Sequence, residues 1–409
     1  MKKHVLDILK ERGFLAQITF EEDLYKRLAQ EEMTIYVGVD PTADSLHVGH
    51  IIPVMAMAHL QQAGHRPLIL CGGATAMIGD PSGKTDMRKM MSRETIADNI
   101  SHIKSQLEKF LDFGEGKAKI VNNADWLMDL NYIDFLRDIG AHFSVNRMLA
   151  AEAYKQRLER GLTFLEFNYM LMQSYDFLHL FKTEGCRLQI GGDDQWSNIL
   201  AGADLIRRKE QEEAFALTCN LIMTHDGQKM GKTVAGALWL DGEKVSPYEF
   251  YQYWRNVADQ DVEKFLGILT FLPMEEVRRL GALQGAEINQ AKEVLAFEIT
   301  KLIHGTLAAS EAQEASRALF AGGANMENIP TFALSQAQLE EDNRMVNLLM
   351  LSGLCKSKGE ARKMIQAGAI SANDEKITDV DYVVSPEALQ GEGMLLRRGK
   401  KSYCKVVLA

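Results

Sequence analysis

The chain has no C-x-x-C pair. Its five cysteines (Cys71, Cys186, Cys219, Cys355 and Cys404) are scattered and odd in number. That excludes the usual zinc and disulfide frameworks and favours buried, reduced thiols in a cytoplasmic protein. No secretory leader is expected either. After two lysines, the opening MKKHVLDILKERGFLAQ mixes charge with apolar residues at helical spacing. No later stretch approaches the apolar length of a membrane span, so no membrane partner is expected. Positive charge is not in excess either: the formal net charge is −10. Wholesale coating of nucleic acid is excluded, and any RNA contact must come from local basic patches. Low-complexity tracts and internal repeats are absent. What remains is an ordinary globular composition, 46% hydrophobic and 25% charged over 409 residues, long enough for about two to four domains.

The first 220 or so residues alternate strand and helix signals. Residues 34–39 (TIYVGV), 66–71 (RPLILC), 118–122 (AKIVN) and 187–190 (RLQI) read as short buried strands, and 51–62 as an apolar helix. Such alternation predicts an α/β domain with a parallel sheet covered on both faces. Ligands of such sheets bind beyond the carboxyl ends of the strands. From about Ser246 the pattern turns helical, and the stretch to about Phe320 is rich in good helix formers. Residues 321–338 are small, polar and broken by Pro and Gly, which predicts a linker. The expected domains are therefore 1–220 (α/β), 221–325 (helical), 326–342 (linker) and 343–409 (a compact α+β domain).

Several motifs carry chemistry. Residues 36–50, YVGVDPTADSLHVGH, run from strand to loop to helix, with His47, Gly49 and His50 at the helix start. A helix N-terminus attracts anions through free N–H groups and the macrodipole. Two imidazoles there can donate to phosphate oxygens, and Gly49 clears a side chain from the approach of a flat base. KMGKT (229–233) follows a polar turn, His225-Asp226-Gly227. Two lysines and a hydroxyl there can neutralise a departing phosphate group. GDPSGKT (79–85) has three residues between its glycines, not the four of a P-loop, and is rejected as one. Tyr169, Gln173 and Asp176 stand at i, i+4 and i+7, on one helix face. Asp193 or Asp194 in QIGGDDQWSNI (189–199) can cap the helix that follows. Near the C-terminus, Lys356, Lys358, Arg362 and Lys363 put positive charge on a predicted helix pair, and Arg397, Arg398, Lys400 and Lys401 form a later basic run. Such clusters can follow a phosphate backbone.

HVGH and KMGKT resemble the two signatures, H-I-G-H and K-M-S-K-S, of the class I aminoacyl-tRNA synthetases. The longer strings resemble the bacterial tyrosyl-tRNA synthetases, and residues 343–379 resemble the S4 RNA-binding fold. The resemblance implies a Rossmann-like catalytic domain with a dimer-forming insertion, then a helical anticodon-binding domain and an S4-like domain. It assigns transition-state stabilisation to Thr42, His47 and His50, with Lys229, Lys232 and Thr233 on the departing pyrophosphate. It assigns the tyrosine hydroxyl to Tyr36 and Asp176, and the ammonium to Asp80, Tyr169 and Gln173. The carboxylate or α-phosphate falls to Gln195. ATP would lie against Gly38, Asp40, His47, Gly49, His50, Gly192, Asp194 and Lys232, with Lys84 and Arg88 on a loop near the pyrophosphate. Lys356, Lys358, Arg362 and Lys363 would meet RNA. The implied partners are ATP, L-tyrosine, tRNA(Tyr) and a second copy meeting near residues 125–150. Magnesium would travel with the phosphates, without a dedicated protein metal site. Val37, Pro53 and Asp193 depart from residues common in that family. A tryptophanyl-type enzyme and a catalytically silent RNA-binding protein are the alternatives. Tyr36 with Asp176 favours tyrosine, and the intact His and Lys pairs favour catalysis.

Overall fold

The computed structural model describes residues 3–82, 91–159, 161–227, 230–233, 236–320, 331–373, 375–391, 393–399 and 402–408. The chain forms two compact units. The first comprises residues up to Lys232 together with 237–241 and 258–288. Its centre is a six-stranded sheet of β1 (Leu15–Ile18), β2 (Thr34–Val39), β3 (Arg66–Cys71), β4 (Lys119–Asn122), β5 (Cys186–Gly192) and β6 (Phe215–Cys219), in the order β1-β6-β5-β2-β3-β4. The strands β2 to β6 are parallel, as the alternating pattern predicts. The edge strand β1 is antiparallel to β6, a departure from the all-parallel expectation. Neither β1 nor β6 is among the strands predicted from sequence. Five of six residues are buried in β3 and all five in β6, as expected for strands covered on both faces.

Helix Val48–Gln62 follows β2 and buries ten residues, so it is apolar nearly all round. Pro53 lies inside it and removes one backbone donor. Helices Tyr169–Glu184 and Trp196–Glu210 flank β5, ending in left-handed Gly185 and Gln211 respectively. Segment 258–288 belongs with this sheet, which corrects the expectation of one continuous helical body over 221–325. The physical reason is Arg12. Its buried guanidinium donates to the carbonyls of Gly267 (2.8 Å), Thr270 (2.8 Å) and Leu272 (2.5 Å), capping the exit of helix Val262–Leu269.

In the second unit, helices Pro247–Arg255 and Thr306–Phe320 pack together. Trp254, Tyr251 and Phe250 are fully buried there. The C-terminal sheet has five strands, in the spatial order Glu375–Ile377, Ile370–Ala372, Met394–Arg398, Ser402–Leu408 and Thr331–Leu334. It covers helices Met345–Leu351 and Lys358–Gln366 around Leu334, Leu349, Ile365, Leu396 and Val406. The linker predicted over 326–342 is therefore too long. Thr331–Leu334 pairs in parallel with Ser402–Leu408, and Gln336–Glu341 is a helix capped by Ser335.

Between β4 and β5 of the first unit, Arg157 and Glu166 form a two-pronged ion pair. Nε and Nη2 of Arg157 each lie 3.0 Å from a carboxylate oxygen, and both side chains are almost wholly buried. Glu166 also closes a capping box with Thr163, immediately before helix Tyr169–Glu184. Losing one partner leaves a buried charge alone. Arg157→Met is expected to cost about 3–5 kcal/mol, and Arg157→Met/Glu166→Met to recover most of it. Urea unfolding of both variants against the parent checks this.

Candidate active site

Strand β2 is the point where the winding of the sheet reverses: β3 lies on one side of it and β5 on the other. Loops leaving such a pair diverge and open a crevice at their carboxyl ends. Asp40 follows β2 there, and Asp193 and Asp194 follow β5.

One wall of the crevice is the start of helix Val48–Gln62. His47 is its N-cap, and with His50 it forms a reciprocal cap. The Gly49 N–H donates to Nδ1 of His47 (3.1 Å) and the His47 N–H to Nδ1 of His50 (3.3 Å). With Nδ1 accepting, each neutral imidazole carries its hydrogen on Nε2. The rings stack 3.8 Å apart at 18°. A Cβ on Gly49 would stand 2.9 Å from His47 Cε1, so glycine keeps this ring in place. Thr42 is exposed on the preceding loop, where its N–H donates to the Asp40 carbonyl (2.8 Å). Gly38 is exposed near the end of β2, and a Cβ there would meet only Leu70 at 4.0 Å.

The floor is a connected run of hydrogen bonds. Asp176 Oδ1 accepts from Trp126 Nε1 (2.7 Å) and Oδ2 from Asn123 Nδ2 (2.9 Å). Asn123 Nδ2 also donates to Thr75 Oγ1 (3.0 Å), and Thr75 in turn donates to Asp40 Oδ1 (2.9 Å). The Tyr169 hydroxyl donates to the other Asp40 oxygen (3.0 Å). Burial raises the Asp176 carboxyl to about 7, against the lowering effect of its two donors. The Tyr36 phenol, fully buried and near Asp176, is held well above its ordinary value, first by burial and then by that charge. Among the described residues, the Tyr36 hydroxyl, Gln173 Oε1 and Gln189 Oε1 are buried with no hydrogen-bond partner. Buried polar atoms are ordinarily paired; Tyr36 and Gln189 are register partners on β2 and β5, and Gln173 lies one turn from Asp176 on its helix, so three of the unpaired atoms border this run.

The far wall comes from β5. Gln195 Nε2 donates to Asp80 Oδ2 (2.7 Å), and Asp80 Oδ1 accepts the Ser82 N–H (2.9 Å). A Cβ on Gly192 would fall 2.7 Å from Asp194 Oδ1, so a larger residue here would displace that carboxylate. Asp193 does not cap the following helix with its side chain. Its Oδ1 accepts from Gln17 Nε2 (2.7 Å) and Thr218 Oγ1 (2.9 Å), tying the edge strand to the turn.

The structure thus joins Asp40, Tyr169 and Asp176 through one hydrogen-bonded run, with Tyr36 near Asp176 and Gln173 on the Asp176 face of its helix, and the histidines and the Asp80–Gln195 pair on neighbouring loops. Lys84, Arg88 and Lys229 lie outside the described residues, as do the side chains of Lys232 and Thr233. The sequence reading missed Thr75, Asn123, Trp126 and Gln189. Their roles arise from strand neighbours far away in sequence, and no local spacing signals them. In the separate C-terminal domain, Lys356, Arg362 and Lys363 are exposed. Lys358 is paired with Asp342 (2.9 Å), whose carboxyl is held far below its ordinary value by Arg344 and Lys358.

Comparison with known proteins gives consistent results. A family model described as tRNA synthetases class I (W and Y) matches residues 28–321, and one described as a tyrosine–tRNA ligase SYY-like C-terminal domain matches 323–406. The chain is 57% identical over 408 residues to a tyrosine–tRNA ligase of Clostridium tetani, covering 100% of both. It is 57% identical over 404 residues to that of Caldanaerobacter subterraneus subsp. tengcongensis, covering 99% of both. A C-terminally truncated mitochondrial tyrosyl-tRNA synthetase of Aspergillus nidulans superposes with a TM-score of 0.69 at 31% identity, over 78% of this chain and 95% of that one.

The Asp176 bonds make a prediction independent of any ligand. Trp126→Phe removes one of two donors, so the Asp176 midpoint should rise above its present value of about 7. A carbon-13 NMR titration of the carboxyl, with Asp176→Asn for assignment, reads it. An unchanged midpoint would mean the indole does not support the carboxylate.

Proposed function

This chain belongs to the class I tyrosine–tRNA ligases, and we propose that its own crevice residues divide the ligase reaction in the following way. ATP and tyrosine are joined first, the tyrosine carboxylate attacking the α-phosphate to give tyrosyl-adenylate and pyrophosphate. The terminal ribose hydroxyl of tRNA(Tyr) then takes the tyrosyl group. The observation that carries the reading is the buried Tyr36 hydroxyl near the Asp176 carboxylate, without a hydrogen-bond partner among the described residues. A phenolic hydroxyl can donate to Asp176 and accept from Tyr36, completing both. Phenylalanine would leave these groups unpaired in a dry site, a penalty for which tyrosyl enzymes are themselves the standard case.

Tyr169, Gln173 and Asp80 hold the ammonium group, and Gln195 lies where the carboxylate meets the α-phosphate. The backbone at Gly192 and the Asp194 side chain take the ribose, and Asp40, Gly38 and Gly49 border the nucleotide. His47 and His50 direct Nε2–H donors at phosphate oxygens, and Thr42 adds a hydroxyl. Lys229, Lys232 and Thr233, with Lys84 and Arg88, neutralise departing pyrophosphate. Catalysis by this set is positioning and charge stabilisation, with no covalent enzyme intermediate. Magnesium enters as the complex of the phosphates. Lys356, Lys358, Arg362 and Lys363 contact the tRNA, and the enzyme works in the cytoplasm.

A homodimer is part of this reading. Its support is the exposure of Tyr132 (57%), Ile133 (60%), Val145 (55%) and Phe164 (69%) on the insertion between β4 and β5. Apolar side chains of this size grouped on one insertion indicate a covered face. Ile133→Asp/Phe164→Asp is expected to sediment as a monomer where the parent sediments as a dimer. A dimeric variant would remove this face from consideration.

ATP–pyrophosphate exchange driven by tyrosine, phenylalanine or tryptophan tests the assignment, with His50→Ala as control. Exchange with tyrosine alone, lost in the control, is expected. Exchange with none, from folded protein that still binds RNA, would favour a silent RNA-binding protein. Exchange with tryptophan would favour the tryptophanyl alternative. The same assay has a pH signature. The Asp176 carboxyl titrates near 7 in the folded chain, above its ordinary 3.8, so the accepting carboxylate form fills as pH rises. Tyrosine kcat/KM should therefore climb between pH 6 and 8, and the climb should vanish in Asp176→Asn. The stability linkage runs oppositely. Between pH 3.8 and 7 the unfolded chain releases this proton first, so the contribution of the group to stability falls as pH rises.

A further inference from the structure

The two signature segments are stitched together by a strand-like contact outside the tyrosine floor. The Val48 N–H donates to the Leu238 carbonyl (3.0 Å), and the Leu240 N–H donates to the Leu46 carbonyl (2.9 Å). His47 and Trp239 face each other across this antiparallel bridge. The Leu238 N–H in turn donates to the Gly231 carbonyl (2.7 Å), in the second signature. Gly231 has φ +79°, and a Cβ on it would lie 3.3 Å from Val48 Cβ. A left-handed backbone pressed this closely against Val48 suits glycine best.

Side chains repeat the contact. The half-buried Trp239 indole meets the His47 imidazole edge to face, centroids 5.9 Å apart at 61°. The His47 ring is therefore bounded on three sides: His50 stacks on its face, Gly49 leaves no space for a side chain beside Cε1, and Trp239 stands at its edge. Such an aromatic pair is directional, because ring edges carry positive and faces negative potential.

We propose that Trp239 is a positioning residue for the first half-reaction, fixing the orientation in which the His47 Nε2–H meets the phosphates. It acts through His47 and touches no substrate. The inference rests on the assignment of His47 to the nucleotide. It also supplies a reason for the second signature to continue into a tryptophan: one short segment carries the phosphate lysines and sets the ring of the first signature.

Three variants test this. Trp239→Leu keeps the backbone bridge but removes the ring. Its kcat for tyrosine-dependent pyrophosphate exchange should fall about 10- to 100-fold, the scale of a displacement of about 1 Å at a catalytic group. The KM for tyrosine, whose floor lies on β2 and helix Tyr169–Glu184, should not move. Trp239→Phe restores an aromatic edge and should recover most of the rate. Trp239→Leu/His47→Asn should be no slower than His47→Asn alone, because the two act in series. A parent-like kcat in Trp239→Leu overturns the proposal, as does a loss spread equally over kcat and the tyrosine KM, or a phenylalanine variant no better than leucine. The geometry has its own readout. The His47 Cε1–H resonance, assigned by its loss in His47→Asn, should move in Trp239→Leu by loss of the indole ring-current contribution, that of the stacked His50 remaining. Should the parent show no exchange at all, the functional reading falls, and this resonance still decides whether Trp239 orients the ring.

Discussion

Asp40 is the carboxylate on which the floor of the crevice depends. It sits where β2 ends, and each of its oxygens is claimed by a different segment: Thr75 from the turn after β3, Tyr169 from the helix before β5. That double claim extends through Thr75 and Asn123 to Asp176 and Trp126, so the two ends of the crevice floor share one hydrogen-bonded run. Buried runs of this kind hold their geometry because each broken link strands a polar group. The constraint reaches the backbone. A Cβ on Gly72 would sit 2.0 Å from Asp40 Oδ1, and one on Gly73 2.2 Å from Asn122 Oδ1. The chain must carry glycine beneath the carboxylate for the floor to close.

Much of this was legible in the sequence, and the reasons are local. Thr34–Val39 and Arg66–Cys71 each hold a run of buried apolar residues, 35–37 and 67–71, and that run marks the strand. Tyr169, Gln173 and Asp176 share a helix face by spacing alone, and all three are buried on it. The signatures were legible as strings because helix-start chemistry is written in consecutive residues. What escaped was made by distant pairing. Asn123 and Trp126 reach Asp176 from the end of β4, some fifty residues away. The strand Thr331–Leu334 lies within a stretch with the composition of a linker, and only its pairing with Ser402–Leu408 makes it a strand. Arg12 recruits segment 258–288 to the sheet unit across more than 250 residues, which no composition window registers.

The same contrast governs charge. The basic residues of the C-terminal domain read as two clusters in sequence, and the fold pairs some of them with acids. Asp342 engages Arg344 and Lys358, and Glu360 engages Arg398. Exposed pairs of this kind contribute little to stability. Their consequence is to fix where the long side chains of Arg344, Lys358 and Arg398 point.

The five cysteines give the molecule an unplanned property. Cys71, Cys186 and Cys219 lie in three strands of the sheet unit, and Cys355 and Cys404 in the C-terminal domain. All are buried, and burial pushes the thiols of Cys71 and Cys219 up to about 12 and that of Cys404 up to about 11. Thiolate is the reactive form, so these sulfurs are silent toward alkylating reagents while the chain is closed. Each unit therefore carries internal clocks for its own opening. The rate at which a given cysteine is alkylated reports how often its strand, or for Cys355 the bend between two helices, comes apart, with no label added and no residue changed.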